Sequence, residues 1–172
     1  MDGQKQTKME TSLSTWVNRI ITWVIFYLST IVATSASLVW TVGGDAAWFA
    51  NLNTPSFAPP NWLFGPVWTI LYILIATSAL MLVNSASHKL KNIAISLWAL
   101  QMGLNIIWTP VFFGAYNLET AFYYIASLWV TILAYIIITF NINKWSSIVF
   151  IPYFMWVSFA SFLNYTYWQI NI

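Results

Sequence analysis

The chain has 172 residues, 60% of them apolar and only 6% charged, where an ordinary soluble domain carries roughly 25% charged residues. Six Lys or Arg and four Asp or Glu cannot cover the surface of a soluble globule of this size, and a mean hydropathy of +0.72 makes lipid the solvent to expect. A net charge of +2 excludes the electrostatic footprint of a nucleic-acid binder, and the absence of cysteine excludes disulfides, thiolate metal sites and thiol nucleophiles together.

The residues up to Thr15 are polar, carry no myristoylation signature and are read as a disordered cytoplasmic tail, 1–15; the remainder, 16–172, is read as one domain. A transmembrane helix needs about 20 predominantly apolar residues, and five runs supply them: 20–42, 63–83, 90–113, 120–140 and 145–169. None of the five interiors holds Asp, Glu, Lys, Arg or His, as a hydrocarbon core demands. The expected fold class is therefore an all-α integral membrane protein, a five transmembrane helix bundle. The first run is too long for a signal-peptide core and lacks an A-x-A cleavage site, so it is read as a retained helix.

Orientation follows from the basic residues. Lys5, Lys8 and Arg19 precede span one, Lys89 and Lys91 join spans two and three, and Lys144 joins spans four and five. The positive-inside rule then places the N-terminus in the cytoplasm and the C-terminus outside a multi-pass protein, in the cell membrane if the source is bacterial. An odd number of spans without a repeated hydropathy motif, and without embedded ionisable groups, argues against an inverted-repeat, ion-coupled transporter.

The loop between spans one and two, 43–62, holds Trp48, Phe49, Phe57 and Trp62 together with Pro55, Pro59 and Pro60, and Pro66 follows it. Prolines fix φ and remove donors, so this loop is stiff; it reads either as a lid over the outer mouth of the bundle or as an interfacial connector. Span two then contributes Phe64, Trp68 and Tyr72. Span three carries Gln101, Asn105, Trp108 and Phe112 within about 60° of arc at 100° per residue, one stripe on one face. The opposite face holds Ala99 and Gly103, a small-xxx-small ridge that serves either internal packing or a homodimer seam; Ser29, Ala33 and Ser37 make a similar ridge on span one. Pro110 and Pro152 remove donors inside spans three and five and are candidates for kinks. Span five repeats the stripe with Tyr153, Trp156, Ala160, Asn164 and Tyr167, and Trp156 falls about 16 Å into the span.

Twelve tryptophans, nine tyrosines and twelve phenylalanines make 19% of the chain aromatic. Rings at span ends such as Trp16, Trp62, Trp145 and Trp168 suit an interfacial belt, whereas Trp68, Trp108 and Trp156 lie too deep for that. Polar amides in lipid must find partners, so the stripes face inward. Gln101, Asn105 and Asn164 either bond between helices or serve as handles in a ring-walled cavity for a flat, largely apolar ligand. Acid–base chemistry has no footing in the membrane: Asp45 and Glu119 fall on separate outer loops, and His88, between Ser87 and Lys89, reads as a loop residue rather than a metal ligand.

Trp48, the run Pro55-Ser-Phe-Ala-Pro-Pro60, Phe64-Gly-Pro-Val-Trp68 with Leu71-Tyr72, Leu100-Gln101, Leu104-Asn105-Ile-Ile-Trp108, Phe112-Phe113, Pro152-Tyr153-Phe-Met-Trp156, Phe159-Ala160 and Leu163-Asn164 together resemble the TspO/MBR family. These are the tryptophan-rich sensory proteins related to the mitochondrial translocator protein, or peripheral benzodiazepine receptor. The resemblance implies a five-helix bundle, commonly a homodimer, whose pocket beneath the first loop binds protoporphyrin IX or haem-like tetrapyrroles, aromatic drugs and, in animals, cholesterol. It carries ligand-binding roles onto Trp48, Phe49, Trp68, Asn105, Trp108, Trp156, Ala160 and Asn164, with no metal and no cofactor required.

Two departures stand out. Phe49 occupies a position where the family often has Tyr, and Leu163-Asn-Tyr165-Thr-Tyr167-Trp-Gln169 lacks the basic residue of the family's sterol motif. The function so implied is sensing, buffering or transfer of a tetrapyrrole. The alternatives are light- and oxygen-dependent breakdown of bound porphyrin, with Trp48 and Trp156 as the oxidisable indoles, and a membrane assembly partner without a ligand. The partners implied are the bilayer, a porphyrin or related small molecule, and a second copy through the Ala99 and Gly103 face.

Overall fold

A computed structural model describes residues 23, 24, 26–28, 30, 31 and 46–172. The predicted tail, the ridge of Ser29, Ala33 and Ser37, the charged residues Lys5, Lys8, Arg19 and Asp45, and most of span one lie outside the described residues. Those described between 23 and 31 are helical.

The regular elements of the described residues are all helical, with no strand among them. A short helix, α1, covers Ala46–Ala50, and a single 3-10 turn covers Asn61–Leu63. Four long helices follow: α2 (Phe64–Val83), α3 (Lys91–Phe113), α4 (Leu118–Phe140) and α5 (Lys144–Ile170), each long and apolar enough to cross a membrane. Their ends fall within two residues of the predicted spans two to five, because the stop signals are local. Asn117 caps α4 by accepting from Thr120 N at 2.8 Å, and Asn143 caps α5 by accepting from Trp145 N and Ser146 N. Pro66 sits in the first turn of α2, where a missing N–H costs nothing. Helices α3 and α5 run on through Pro110 and Pro152. After Pro110 the chain leaves α3 through Gly114 and Ala115, whose N–H groups both donate to the Pro110 carbonyl, and Tyr116 then turns it in the left-handed region at φ 55°.

Helix α5 packs against α4 and α2, and α4 against α3, whereas α2 and α3 touch little. Into the groove between α2 and α3 goes Phe26, beside Ala79, Leu82 and Ile95, with its ring edge-on to Trp98 at 4.8 Å. The bundle is apolar outside and partly polar inside. Leu100, Val130, Ile137, Phe140, Met155 and Phe162 are exposed, while Ser78, Gln101, Asn105, Thr139, Ser146 and Asn164 are buried. That inversion is what lipid imposes: an apolar exterior costs nothing there, and polar groups must pair with one another within the protein.

They pair in two layers. At the end nearer Val83 and Asn143, Ser78 Oγ meets Tyr135 Oη at 2.9 Å and Ser146 Oγ at 3.0 Å, and Asn143 Nδ2 donates to the Met81 carbonyl, tying α2, α4 and α5 together. Further along, Tyr72 Oη donates to Asn105 Oδ1 at 2.7 Å, Asn105 Nδ2 donates to Tyr153 Oη at 3.0 Å, and Tyr153 Oη donates to Gln101 Oε1 at 3.0 Å, linking α2, α3 and α5. Between and around these layers Ile75, Leu82, Leu128, Ile132, Phe150 and Val157 form the dry core. Beyond the second layer, at the end that bears the loop, lies a separate aromatic cluster around Phe112, Leu118, Leu163 and Tyr167.

Candidate functional site

Residues 46–62 fold back over that aromatic cluster. Turn bonds from Asn51 N to the Trp48 carbonyl and from Ala58 N to the Pro55 carbonyl shape the loop, and the prolines hold the extended stretches between. A reciprocal amide clasp pins its middle: Asn53 N donates to Asn171 Oδ1 at 2.7 Å, and Asn171 Nδ2 donates to the Asn53 carbonyl at 3.0 Å. Phe57 stacks on Phe162 of α5 at 5.1 Å, and Trp62, 71% exposed, projects outward at the 3-10 turn.

Beneath the loop is a cavity of about 50 Å³. The loop contributes Phe49, Ala58, Pro59 and Asn61, and α2 contributes Phe64. Trp108, Phe112 and Phe113 come from α3, and Ala160, Leu163, Asn164 and Tyr167 from α5. Six of the twelve lining residues are aromatic. Phe49 is wedged among Phe113 at 5.5 Å, Tyr167 at 5.6 Å and Phe112 at 6.2 Å, while Trp108 packs on Phe112 at 5.1 Å. Trp108 is fixed in place by its Nε1, which donates to Asn164 Oδ1 at 3.0 Å; Asn164 Nδ2 in turn donates to the Leu118 carbonyl at 3.0 Å. The geometry suits a flat apolar body gripped between ring faces.

The eight residues singled out from the sequence separate into two groups. Phe49, Trp108, Ala160 and Asn164 line the cavity. Trp48 lies beside it as part of the cover, its ring 6.2 Å from Phe112 and 4.9 Å from Tyr116. Asn105 belongs to the interhelical hydrogen-bond layer below, and Trp68 packs there on Tyr72 at 5.5 Å and Tyr153 at 6.2 Å. Trp156 stands between Phe64 and Phe159, outside the wall, with an enclosed Nε1 that has no acceptor. Phe64, Phe112, Phe113, Leu163 and Tyr167, with Ala58, Pro59 and Asn61 of the loop, complete the wall without having been assigned a role from the sequence. The helical stripes already contained Phe112 and Tyr167, so periodicity could have found them.

The other polar candidates are structural. Gln101 is fully buried in the interhelical layer, and its Nε2 is enclosed without an acceptor. His88 Nδ1 accepts from Leu90 N at 3.1 Å at the start of α3, while Lys91 Nζ donates to the Val83 and Ser85 carbonyls at the end of α2, where a cation complements the helix dipole. Among the described residues no three metal-ligating side chains gather. Ala99 and Leu100 are exposed, and at Gly103 an added Cβ would meet open space, so this face of α3 has no partner among the described residues.

The chain is similar in sequence to known proteins. The family model described as TspO/MBR matches residues 20–169. Protein CrtK of Rhodobacter capsulatus is 32% identical over 148 residues, covering 86% of this chain and 92% of its own. Tryptophan-rich protein TspO of Chlorobaculum tepidum is 38% identical over 128 residues, covering 73% and 81%. Translocator protein of Homo sapiens is 28% identical over 131 residues, covering 75% and 78%. With the family pattern spread over all four spanning helices and the loop that covers them, the chain is a multi-pass membrane protein and belongs to the TspO/MBR family.

Proposed function

We propose that the protein is a receptor-like membrane protein that binds a porphyrin or related tetrapyrrole in the cavity under residues 46–62 and acts in sensing, buffering or transfer of that ligand. The carrying observation is the roofed wall of rings, Phe49, Trp108, Phe112, Phe113 and Tyr167, drawn from the loop, α3 and α5. The names of relatives, tryptophan-rich sensory protein and translocator protein, fit sensing or transfer.

The present volume of about 50 Å³ is well below the roughly 300–1,000 Å³ of small-molecule sites. Ligand entry therefore requires Phe49 and the short helix α1 to swing out, and the resting state is the closed one. In this reading Phe49, Trp108, Ala160 and Asn164 contact the ligand and Trp48 closes over it. Trp68, Asn105 and Trp156 hold the floor and flank on which the wall stands. Span one completes a five-helix bundle with its N-terminus in the cytoplasm, the C-terminus lies outside, and the Ala99 and Gly103 face forms a homodimer seam.

The test is a titration of purified protein with protoporphyrin IX in the dark, read by tryptophan quenching. Saturable quenching is expected in the wild type, and Ala160→Phe, which fills the cavity from α5, abolishes it. Unsaturable quenching, or equal binding by Ala160→Phe, would remove the site.

A further inference from the structure

The polar groups at the cavity wall divide into those already spent on the protein and those that are not. Trp108 Nε1 and both ends of the Asn164 carboxamide are spent, on each other and on the Leu118 carbonyl. Two groups remain, the Tyr167 hydroxyl and the Asn61 carboxamide, and neither hydrogen-bonds any described residue.

Tyr167 is the informative one. Four tyrosines are buried among the described residues: Tyr72, Tyr135, Tyr153 and Tyr167. Tyr72 donates to Asn105, Tyr135 meets Ser78 and Ser146, and Tyr153 donates to Gln101. Tyr167 is only 5% exposed, with Phe49 at 5.6 Å and Phe112 at 6.3 Å as ring neighbours, neither of which offers a conventional acceptor. Its oxygen is nevertheless not sealed off, since the only fully enclosed orphan side-chain atoms among the described residues are Gln101 Nε2 and Trp156 Nε1. A buried phenol normally finds a partner, and with no protein acceptor beside it the Tyr167 hydroxyl is left to what enters from the open side, water or a ligand. A strong acceptor on a ligand takes the place of water there.

We propose that Tyr167 Oη, with the Asn61 carboxamide at the mouth, reads the edge of the ligand, which selects planar apolar molecules carrying a carboxylate or other strong acceptor at the rim. Both line the cavity, Asn61 exposed and Tyr167 buried. No Lys or Arg lines the cavity. An anionic acceptor therefore keeps part of its hydration at the mouth while it takes one phenol and one amide hydrogen bond, and the apolar body lies deeper among the rings.

This inference rests on the cavity being the ligand site, and the experiment separates the two. Protoporphyrin IX, with two propionates, and etioporphyrin, whose rim is alkyl throughout, are titrated against wild type, Tyr167→Phe and Asn61→Ala. Tyr167→Phe is expected to weaken protoporphyrin IX roughly tenfold, and Asn61→Ala about threefold, as for loss of one hydrogen bond to a strong acceptor. Etioporphyrin offers the hydroxyl and the amide no acceptor at its rim, so the loss is expected to be selective for protoporphyrin IX, and a thermal scan of each variant beside the wild type reports that it is folded. Equal losses for the two porphyrins, unchanged protoporphyrin IX affinity in Tyr167→Phe, or wild type binding both porphyrins equally would overturn the edge-reading role and leave the site standing. Failure of the wild type to bind either porphyrin would overturn the site and this role together.

Discussion

Replacing Asn105 by leucine asks whether this carboxamide holds helices or holds ligand. Its Oδ1 accepts from Tyr72 Oη at 2.7 Å and its Nδ2 donates to Tyr153 Oη at 3.0 Å, with the residue 4% exposed and absent from the cavity wall. Leucine keeps the branched shape of the side chain, with somewhat more bulk and a higher helix propensity, and removes both bonds. Hydrogen bonds between helices inside a membrane average about 0.6 kcal/mol, so losing two costs about 1.2 kcal/mol. At about 2–4 °C per kcal/mol for a chain of this length, the apparent unfolding midpoint should fall by about 2–5 °C. The assay is a thermal scan in one detergent at one fixed rate, since such transitions are commonly irreversible and rate-dependent. Protoporphyrin IX affinity, measured below the transition, should stay close to that of the wild type. An unchanged midpoint together with lost affinity would refute the assignment and make Asn105 a ligand contact.

Two further perturbations test the cover and the outer face. Asn171→Ala removes both of its bonds to Asn53, and with them its own bond to the Tyr167 carbonyl, leaving Asn53 Nδ2 on the Ile170 carbonyl as the remaining tie, so porphyrin should dissociate several-fold faster in a stopped-flow displacement with little change in midpoint; an unchanged rate would show that the loop opens elsewhere. Gly103→Leu adds bulk where a Cβ meets no described residue, so under the proposed seam the detergent-solubilised wild type should sediment as a dimer and the variant as a monomer; a monomeric wild type, or a dimer that persists in the variant, would remove this seam.

The hydrogen-bonded layers give the proposed function a mechanical setting. Ser78, Tyr135 and Ser146 lock α2, α4 and α5 at one depth, and Tyr72, Asn105, Tyr153 and Gln101 lock α2, α3 and α5 at another. Both layers are buried, and the core between them is dry. The loop over the cavity is held instead by ring contacts and by an exposed amide pair, which exchange with water at little cost. Opening at the loop end thus disturbs far less structure than opening through the bundle.

The amino-acid sequence by itself determined the four described spanning helices and their ends, because hydrocarbon tolerates only long apolar runs and because Asn117, Asn143 and the stretch after Pro110 stop or start helices through bonds a few residues long. It also placed Gln101, Asn105, Trp108 and Phe112 on one side of α3, since 3.6 residues per turn fixes direction around an axis. Only the tertiary structure decided what each of them meets. Direction around one helix says nothing of how far along a neighbouring helix the opposing side chain stands, and that depth depends on packing among α2, α3 and α5. One stripe was therefore divided between two tasks: Gln101 and Asn105 met tyrosines and became interhelical struts, while Trp108 and Phe112, one to two turns further on, met the folded-back loop and became cavity wall. The same dependence set Trp156 outside the wall and brought Tyr167 into it with its hydroxyl unspent.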